Sequence, residues 1–328
     1  MSMEKRLKRE YELATNLVSC PSSLDERIGA LYHIHIQAEG RQGYTVRKFN
    51  TRKMAAVALA VVLLTGFAYS AQKLLFSAEQ GTMNIEMRTD AKFVLTRTSA
   101  EDIRHALADV QQQLAVGQAA VVYVASLEKE EHPLYKRHPL LGVTKQEQVQ
   151  DAEEWNETVK KLHAPLSLPR VLPDSFTFSE GKEGNPYESM VDEKGYSLLD
   201  ELRQESKQNG NGVAWRVVPG PQLPFQSYTT TYKNADNDRI YVTVEVMPDM
   251  NVTSKGLASE SVQYEELDVQ GAKAHYTVND QFLFSESNRY QELFWMSGQA
   301  GQQFILRVAS DSPHVTKEQL LQVATGLK

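Results

Sequence analysis

Cysteine is nearly absent. Cys20 stands alone, so no disulfide can form within the chain. A lone thiol is most simply an idle or buried small side chain, with redox chemistry or acylation as the alternative. No Cys-x-x-Cys or His-Glu-x-x-His occurs, so the standard zinc spacings are missing. Neither a Gly-x-Ser-x-Gly nucleophile turn nor a glycine-rich phosphate loop is present. An enzyme is therefore not expected, although catalytic triads assemble in space rather than along the chain. No cofactor or metal is expected either. Basic residues form no stripe and no RNA-recognition signature, which argues against nucleic acid as a partner. With 41% hydrophobic residues and a mean hydropathy of −0.44, most of the chain has a water-soluble composition.

Long apolar runs are equally scarce, and the exception stands out. Residues 54–71 read MAAVALAVVLLTGFAYSA and carry no charge. As a helix they would span about 27 Å, close to the hydrocarbon core of a bilayer. Arg41, Arg47, Lys48, Arg52 and Lys53 precede the run without any acid between them, and Lys73 follows. These flanks predict a single transmembrane helix over 54–75, with the N-terminus cytoplasmic and the C-terminus extracellular. Lys73 is expected to snorkel to the lipid headgroups. A buried core helix would rarely carry five bases at one end. A charged leader of 53 residues is too long for an ordinary signal peptide.

Charge divides at the same place. Residues 1–53 hold ten Lys/Arg against six Asp/Glu, a balance of +4, which leaves −11 for the remaining 275 residues. In the tail, Leu7, Tyr11, Ala14 and Val18 recur at helical spacing, and Pro21 ends that helix. A second helix opens after Ser23 and runs to about Gln37. Its face of Leu24, Ile28 and Leu31 is the candidate surface for a cytoplasmic partner. Two such short helices bury little by themselves.

Beyond the apolar run, short strands are expected at Met83–Arg88 and Lys92–Arg97. A helix capped near Ser99 and closed by Gly117 follows, then a buried strand over Ala119–Ala125. His132-Pro133 and His138-Pro139 read as turns rather than as a metal site. Residues 144–163 read as a charged helix. Together 76–163 suggest a membrane-proximal α/β subdomain.

From Leu166 onward strand patterns dominate. Candidates are Phe176–Ser179, Val213–Val218, Gln226–Tyr232, Arg239–Val246, Ser261–Val269, Ala272–Val278, Gln281–Phe284, Tyr290–Met296 and Gln302–Val308. A final helix over Thr316–Thr325 opens on a capping box. The expected class is α+β: a curved antiparallel sheet over 164–328 whose apolar face the C-terminal helix covers. Asp236-Asn237-Asp238 reads as a hairpin turn, because the glycine and later glutamate of a calcium loop are missing. Glu265, Glu266 and Asp268 read as a solvated strand edge. Phe294 and Trp295 read as core.

Two resemblances follow from these pieces. A helical tail, one span and an outer domain resemble the layout of membrane-bound anti-sigma factors, without their His and Cys-x-x-Cys motif. Residues 166–328 resemble an uncharacterised C-terminal domain of membrane proteins from spore-forming Gram-positive bacteria. The matching pieces are Leu168-Pro169-Arg170-Val171-Leu172-Pro173, Val269 to Tyr276, Phe294-Trp295, Phe304-Ile305-Leu306 and Leu320 to Ala324. Residues 185–212 look like an insertion. That family is similar to half-barrel lipoprotein carriers and to regulators of envelope-stress sigma factors. The resemblance implies a single-pass regulator whose outer domain binds an envelope protein or lipid signal, whose span contacts membrane lipid and whose tail holds a sigma factor. The alternative it implies is a tethered lipid- or lipoprotein-binding module.

Overall fold

The computed structural model describes residues 57–59, 73–187, 190–220, 223, 225–248, 251–299 and 302–327, all within one compact unit beginning at Ala55. Strands β1 (Val57–Leu59), β2 (Lys73–Gln80) and β3 (Met83–Asp90) precede helix α1 (Arg97–Gln113). Strand β4 (Ala119–Val124) leads through helices α2 (Ala125–Lys129) and α3 (Pro133–Arg137) to β5 (Leu141–Thr144). Next come α4 (Ala152–Lys160), β6 (Thr177–Glu183), α5 (Glu193–Tyr196), α6 (Leu199–Asn209) and β7 (Val213–Val218). Strands β8 (Gln226–Lys233), β9 (Arg239–Met247), β10 (Val252–Ser259), β11 (Gln263–Val269) and β12 (Ala272–Asn279) follow. Strands β13 (Tyr290–Gln299) and β14 (Gln302–Ser310) and helix α7 (Lys317–Gly326) complete the order.

These strands form three sheets, and strand outweighs helix, 41% against 26%. The expected α+β class with one curved sheet is therefore corrected to a mostly β architecture. The large sheet is antiparallel, ordered β11-β12-β13-β14-β9-β8-β6. A mixed sheet, β1-β10-β3-β2, and a small antiparallel sheet, β5-β4-β7, accompany it. Strand β10 was not expected. Its residues Val252–Ser259 include Gly256 and lack aromatics, so they carry weak strand preference. Pairing in register with β3, from Val252 on Met83 to Ser259 on Asp90, decides its state. Residues 92–97 are not the expected strand either. The partner of β3 in its hairpin is β2, upstream.

The expected membrane span and single-pass localisation are also corrected. Within the apolar run, Val57–Leu59 is a strand parallel to β10, with Val57 opposite Val252 and Leu59 opposite Ser254. A strand there interrupts the continuous helix that a span requires. Among the described residues, no helix is long and apolar enough to cross a membrane. A sheet strand and a membrane helix can share one apolar composition, and without periodicity the run alone does not separate them. Lys73, expected to flank the span, starts β2, and its Nζ lies 3.3 Å from Glu260 Oε1. The rest of the run and the tail lie outside the described residues, with Leu24, Ile28, Leu31, Arg47, Lys48, Arg52 and Lys53.

The large sheet buries both faces. On one, α7 lays Leu320, Val323 and Ala324 against Trp295, Phe304, Leu306 and Val308. Thr316 and Gln319 close the capping box that starts this helix. On the other face, Phe76, Ile85 and Met87 of the mixed sheet join Phe294, Met296 and Ile305 in a second core. Helix α1 packs Ile103, Val110 and Leu114 with Ala120, Val122 and Leu141 of the small sheet. All six residues of β4 are buried, as an unbroken AAVVYV run demands.

Candidate functional site

Helix α1 begins earlier than Ser99 because Thr96 caps it, accepting a bond from the Ser99 N–H at 3.2 Å. With Ile103, Val110 and Leu114 buried, Arg104, Ala108 and Gln111 share another face, at steps of four and three. That face forms one wall of an open groove of about 840 Å³. The opposite side comprises β5, the segment 145–148, Lys182, Tyr187 and the loop carrying Phe284 and Glu286. Strand β5 is an edge strand of its sheet, and its residues Gly142, Val143 and Thr144 line the groove.

The walls are tied together by hydrogen bonds. Gln111 Nε2 donates to the Thr144 carbonyl at 2.8 Å. Lys145 Nζ donates to the carbonyls of Gln112 at 3.2 Å and Leu114 at 2.7 Å, where the C-terminal end of α1 favours a cation. Arg104 Nη1 donates to the Leu283 carbonyl at 3.2 Å and to Asn288 Oδ1 at 2.8 Å. Gln111, Gln112, Gln146 and Gln148 supply carboxamides, each able to donate and to accept.

Tyr187 links the groove to a buried polar cluster. Its hydroxyl donates to Asp311, to which Arg239 Nη2 also donates at 2.6 Å. Burial raises the Tyr187 pKa, helped by Tyr241 and Asp311, so the hydroxyl stays protonated as a donor. Rings of Tyr187, Phe282 and Tyr290 pack against one another. Deeper still, Arg307 lies between two carboxylates, donating from Nε to Glu245 at 3.1 Å and from Nη1 to Glu292 at 2.9 Å. All three side chains are buried, 9%, 1% and 4% exposed respectively. Arg307 also sits 5.1 Å from the centre of the Phe294 ring. Burial opposes its charge, yet Glu245 and Glu292 hold its pKa above the ordinary arginine value.

Neither the groove nor this cluster was located by sequence reasoning. The signal for the cluster was Glu245, Glu292 and Arg307, charged residues in the interior of strand patterns. For the groove, the polar face of α1 looked like an ordinary solvated surface. The other features fall where their chemistry suggests. His132 and His138 cap the two ends of α3. Asn234 Oδ1 accepts from the N–H groups of Asp236 and Asp238, building the expected turn. On edge strand β11, Glu265 pairs with Lys317 and Glu266 with Lys273. Trp295 and Phe294 are both buried, on opposite faces of the sheet. Among the described residues, no group of three or more His, Cys, Asp or Glu is placed to hold a metal ion.

Burial lowers the pKa of His132, His138 and His275, each to about 4. His275 stacks on both Phe76 and Phe294, with ring centres 4.9 and 5.0 Å away. Between about pH 6.5 and 4 the unfolded chain therefore binds more protons than the folded one. Stability is expected to be full above pH 6.5 and to fall on acidification, at up to about 1.4 kcal/mol per pH unit for each histidine. Urea midpoints at pH 7, 5.5 and 4.5 test this. His275→Phe should flatten the slope, and an unchanged slope would remove His275 as a contributor.

No protein-family model, curated protein or solved structure matches this chain.

Proposed function

We propose that the chain is a regulatory binding protein whose groove takes an extended peptide segment from another protein. The observation that carries this is an open groove lined by residues of the edge strand β5 and by the side chains of Gln112 and Gln148. An edge strand offers main-chain N–H and C=O groups to an added strand. Carboxamides match the alternating donors and acceptors of an extended backbone. An open groove suits a chain molecule that enters and leaves at both ends. The lipid-carrier alternative has less support, because α7 fills its face of the large sheet with packed side chains.

The regulatory part of the proposal rests on the tail. Leu24, Ile28 and Leu31 recur at helical spacing and are apolar, as a protein-binding segment would be, and a sigma factor is the candidate that the resemblance of residues 166–328 supplies. Affinity capture with the full chain and with Ile28→Asp tests it. Recovery of a sigma factor by the first and not the second is expected, and equal recovery by both would remove this face as the docking surface.

For the groove, hydrogen exchange on the full chain with a panel of unstructured peptides is the direct measurement. Binding should slow exchange in residues 141–144. Ala108→Trp, which fills the groove from an exposed position on α1, should abolish the effect. Peptide binding that leaves 141–144 unprotected, or that survives Ala108→Trp, would place the site elsewhere.

A further inference from the structure

A strand edge with open main-chain groups invites another strand, and folded chains blunt such edges. Strand β11 carries Glu265 and Glu266, each paired with a lysine. Strand β6 is interrupted by a register shift between Phe178 and Glu180, and β2 by one between Leu74 and Phe76. On β5, Gln111 occupies the Thr144 carbonyl. Strand β7, the opposite edge of the small sheet, has none of these devices. It reads VAWRVV, without proline, lysine or acid, and pairs with β4 over its whole length without a shift. Its one charge, Arg216, is drawn onto Glu201 and Glu205 of α6 at 2.9 and 2.6 Å. Val217 is 51% exposed.

The ladder fixes which main-chain groups of β7 face outward. The Ala125 N–H donates to the Gly212 carbonyl at 2.7 Å, one step beyond the register pair Val124 and Val213. Hydrogen-bonded pairs alternate along an antiparallel ladder, so Ala214, Arg216 and Val218 bond to β4. Val213, Trp215 and Val217 therefore direct their N–H and C=O groups away from it. The Trp215 carbonyl also accepts from Arg216 Nη1 at 3.0 Å and keeps a second lone pair.

We infer that β7 pairs antiparallel with β7 of a second copy of this chain, about a two-fold axis at Trp215. The outward groups are spaced evenly around Trp215. This register therefore sets Val213 opposite the partner's Val217 and matches each outward N–H with a C=O. Arg216 falls opposite the partner's Ala214, so no like charges meet. A second copy is the occupant because its edge has the same spacing and the same apolar side chains, which is what an isologous contact requires. Two three-stranded sheets then become one of six, with both β5 edges outermost. The inference stands apart from the groove proposal, since it uses the other edge of the sheet. Few residues face each other, so the dimer is expected to be weak, with a dissociation constant of about 10 μM.

Sedimentation velocity on the full chain tests this. The weight-average mass should rise from one chain towards two between about 1 and about 100 μM. Val217→Lys, which puts a charge on the edge from an exposed position, should raise the dissociation constant at least about tenfold. Its urea midpoint at low concentration should match that of the unaltered chain. The register has its own test in a Cys20→Ser background. Oxidation of the double variant Val213→Cys, Val217→Cys should link two chains, because facing residues lie within disulfide reach. Val217→Cys alone should not, since its two copies are offset by four residues, about 13 Å along the strand. A mass that stays at one chain throughout would overturn the inference. So would a dimer indifferent to Val217→Lys, or equal linking by the single and double cysteine variants.

Discussion

Replacing Arg307 with methionine is expected to destabilise the folded chain by about 3–5 kcal/mol, because two buried carboxylates lose their shared cation. Glu245 and Glu292 both accept hydrogen bonds from Arg307, and neither side chain is more than 4% exposed. Their strands, β9 and β13, flank β14 directly, so the backbone holds the two acids on either side of the arginine. The register places Arg307 opposite Thr243 on one side and Phe294 on the other. Methionine would keep the packing over Phe294 and delete the charge. Glu292→Gln should cost least of the single changes, since it leaves one cation facing one anion. The triple variant Glu245→Gln, Glu292→Gln, Arg307→Met should recover most of the stability lost in Arg307→Met. Urea titration gives these values directly. A cost under about 1 kcal/mol for Arg307→Met would mean that the two acids are solvated or protonated, contrary to the burial described.

Gly181→Ala is expected to cost about 3 kcal/mol, the upper end of the range for overpacking. A Cβ at this position would lie 2.0 Å from Trp155 Cδ2. Neither side can yield easily. Trp155 is 2% exposed, and its Nε1 donates to Thr230 Oγ1 at 2.8 Å. Gly181 is held by reciprocal main-chain bonds with Val149, both 2.8 Å. Glycine inside a strand here marks the close approach of an indole to the backbone. Trp155→Ala should cost about 3–5 kcal/mol through the cavity it leaves. The double variant should be well short of the sum, because removing the indole makes room for the methyl group. Additive costs would show that the contact is not what constrains Gly181. Trp155→Phe provides a milder variant, should the larger changes prevent folding.

Much of the strand content was legible because it depends on local pattern. Val213–Val218 has the expected bounds, and β8, β9, β12, β13 and β14 start where their patterns start. Helix α7 was legible from its capping box. Other features depended on partners distant in sequence. In β9 the face of Tyr241, Thr243 and Glu245 is buried as well as that of Ile240, Val242 and Val244. A second layer covers that face, and nothing within β9 reports a layer built elsewhere. Residues 281–284 resemble a strand in composition, but they turn, with the Phe282 N–H bonded to the Asn288 carbonyl at 2.8 Å. The groove was illegible for the same reason. Its walls come from residues 101–116, 142–148, 182–187 and 284–286, and no single segment carries its shape.

By itself the sequence determined what short-range physics controls. It excluded internal disulfides, set an acidic body behind a basic tail, placed most of the later strands and capped the last helix. Tertiary structure decided the number of sheets, the burial of Glu245, Glu292 and Arg307, and the assignment of Val57–Leu59 to a strand edge rather than to a membrane helix. Periodicity and capping act over a few residues, whereas burial and strand pairing depend on segments that meet only after the chain has folded.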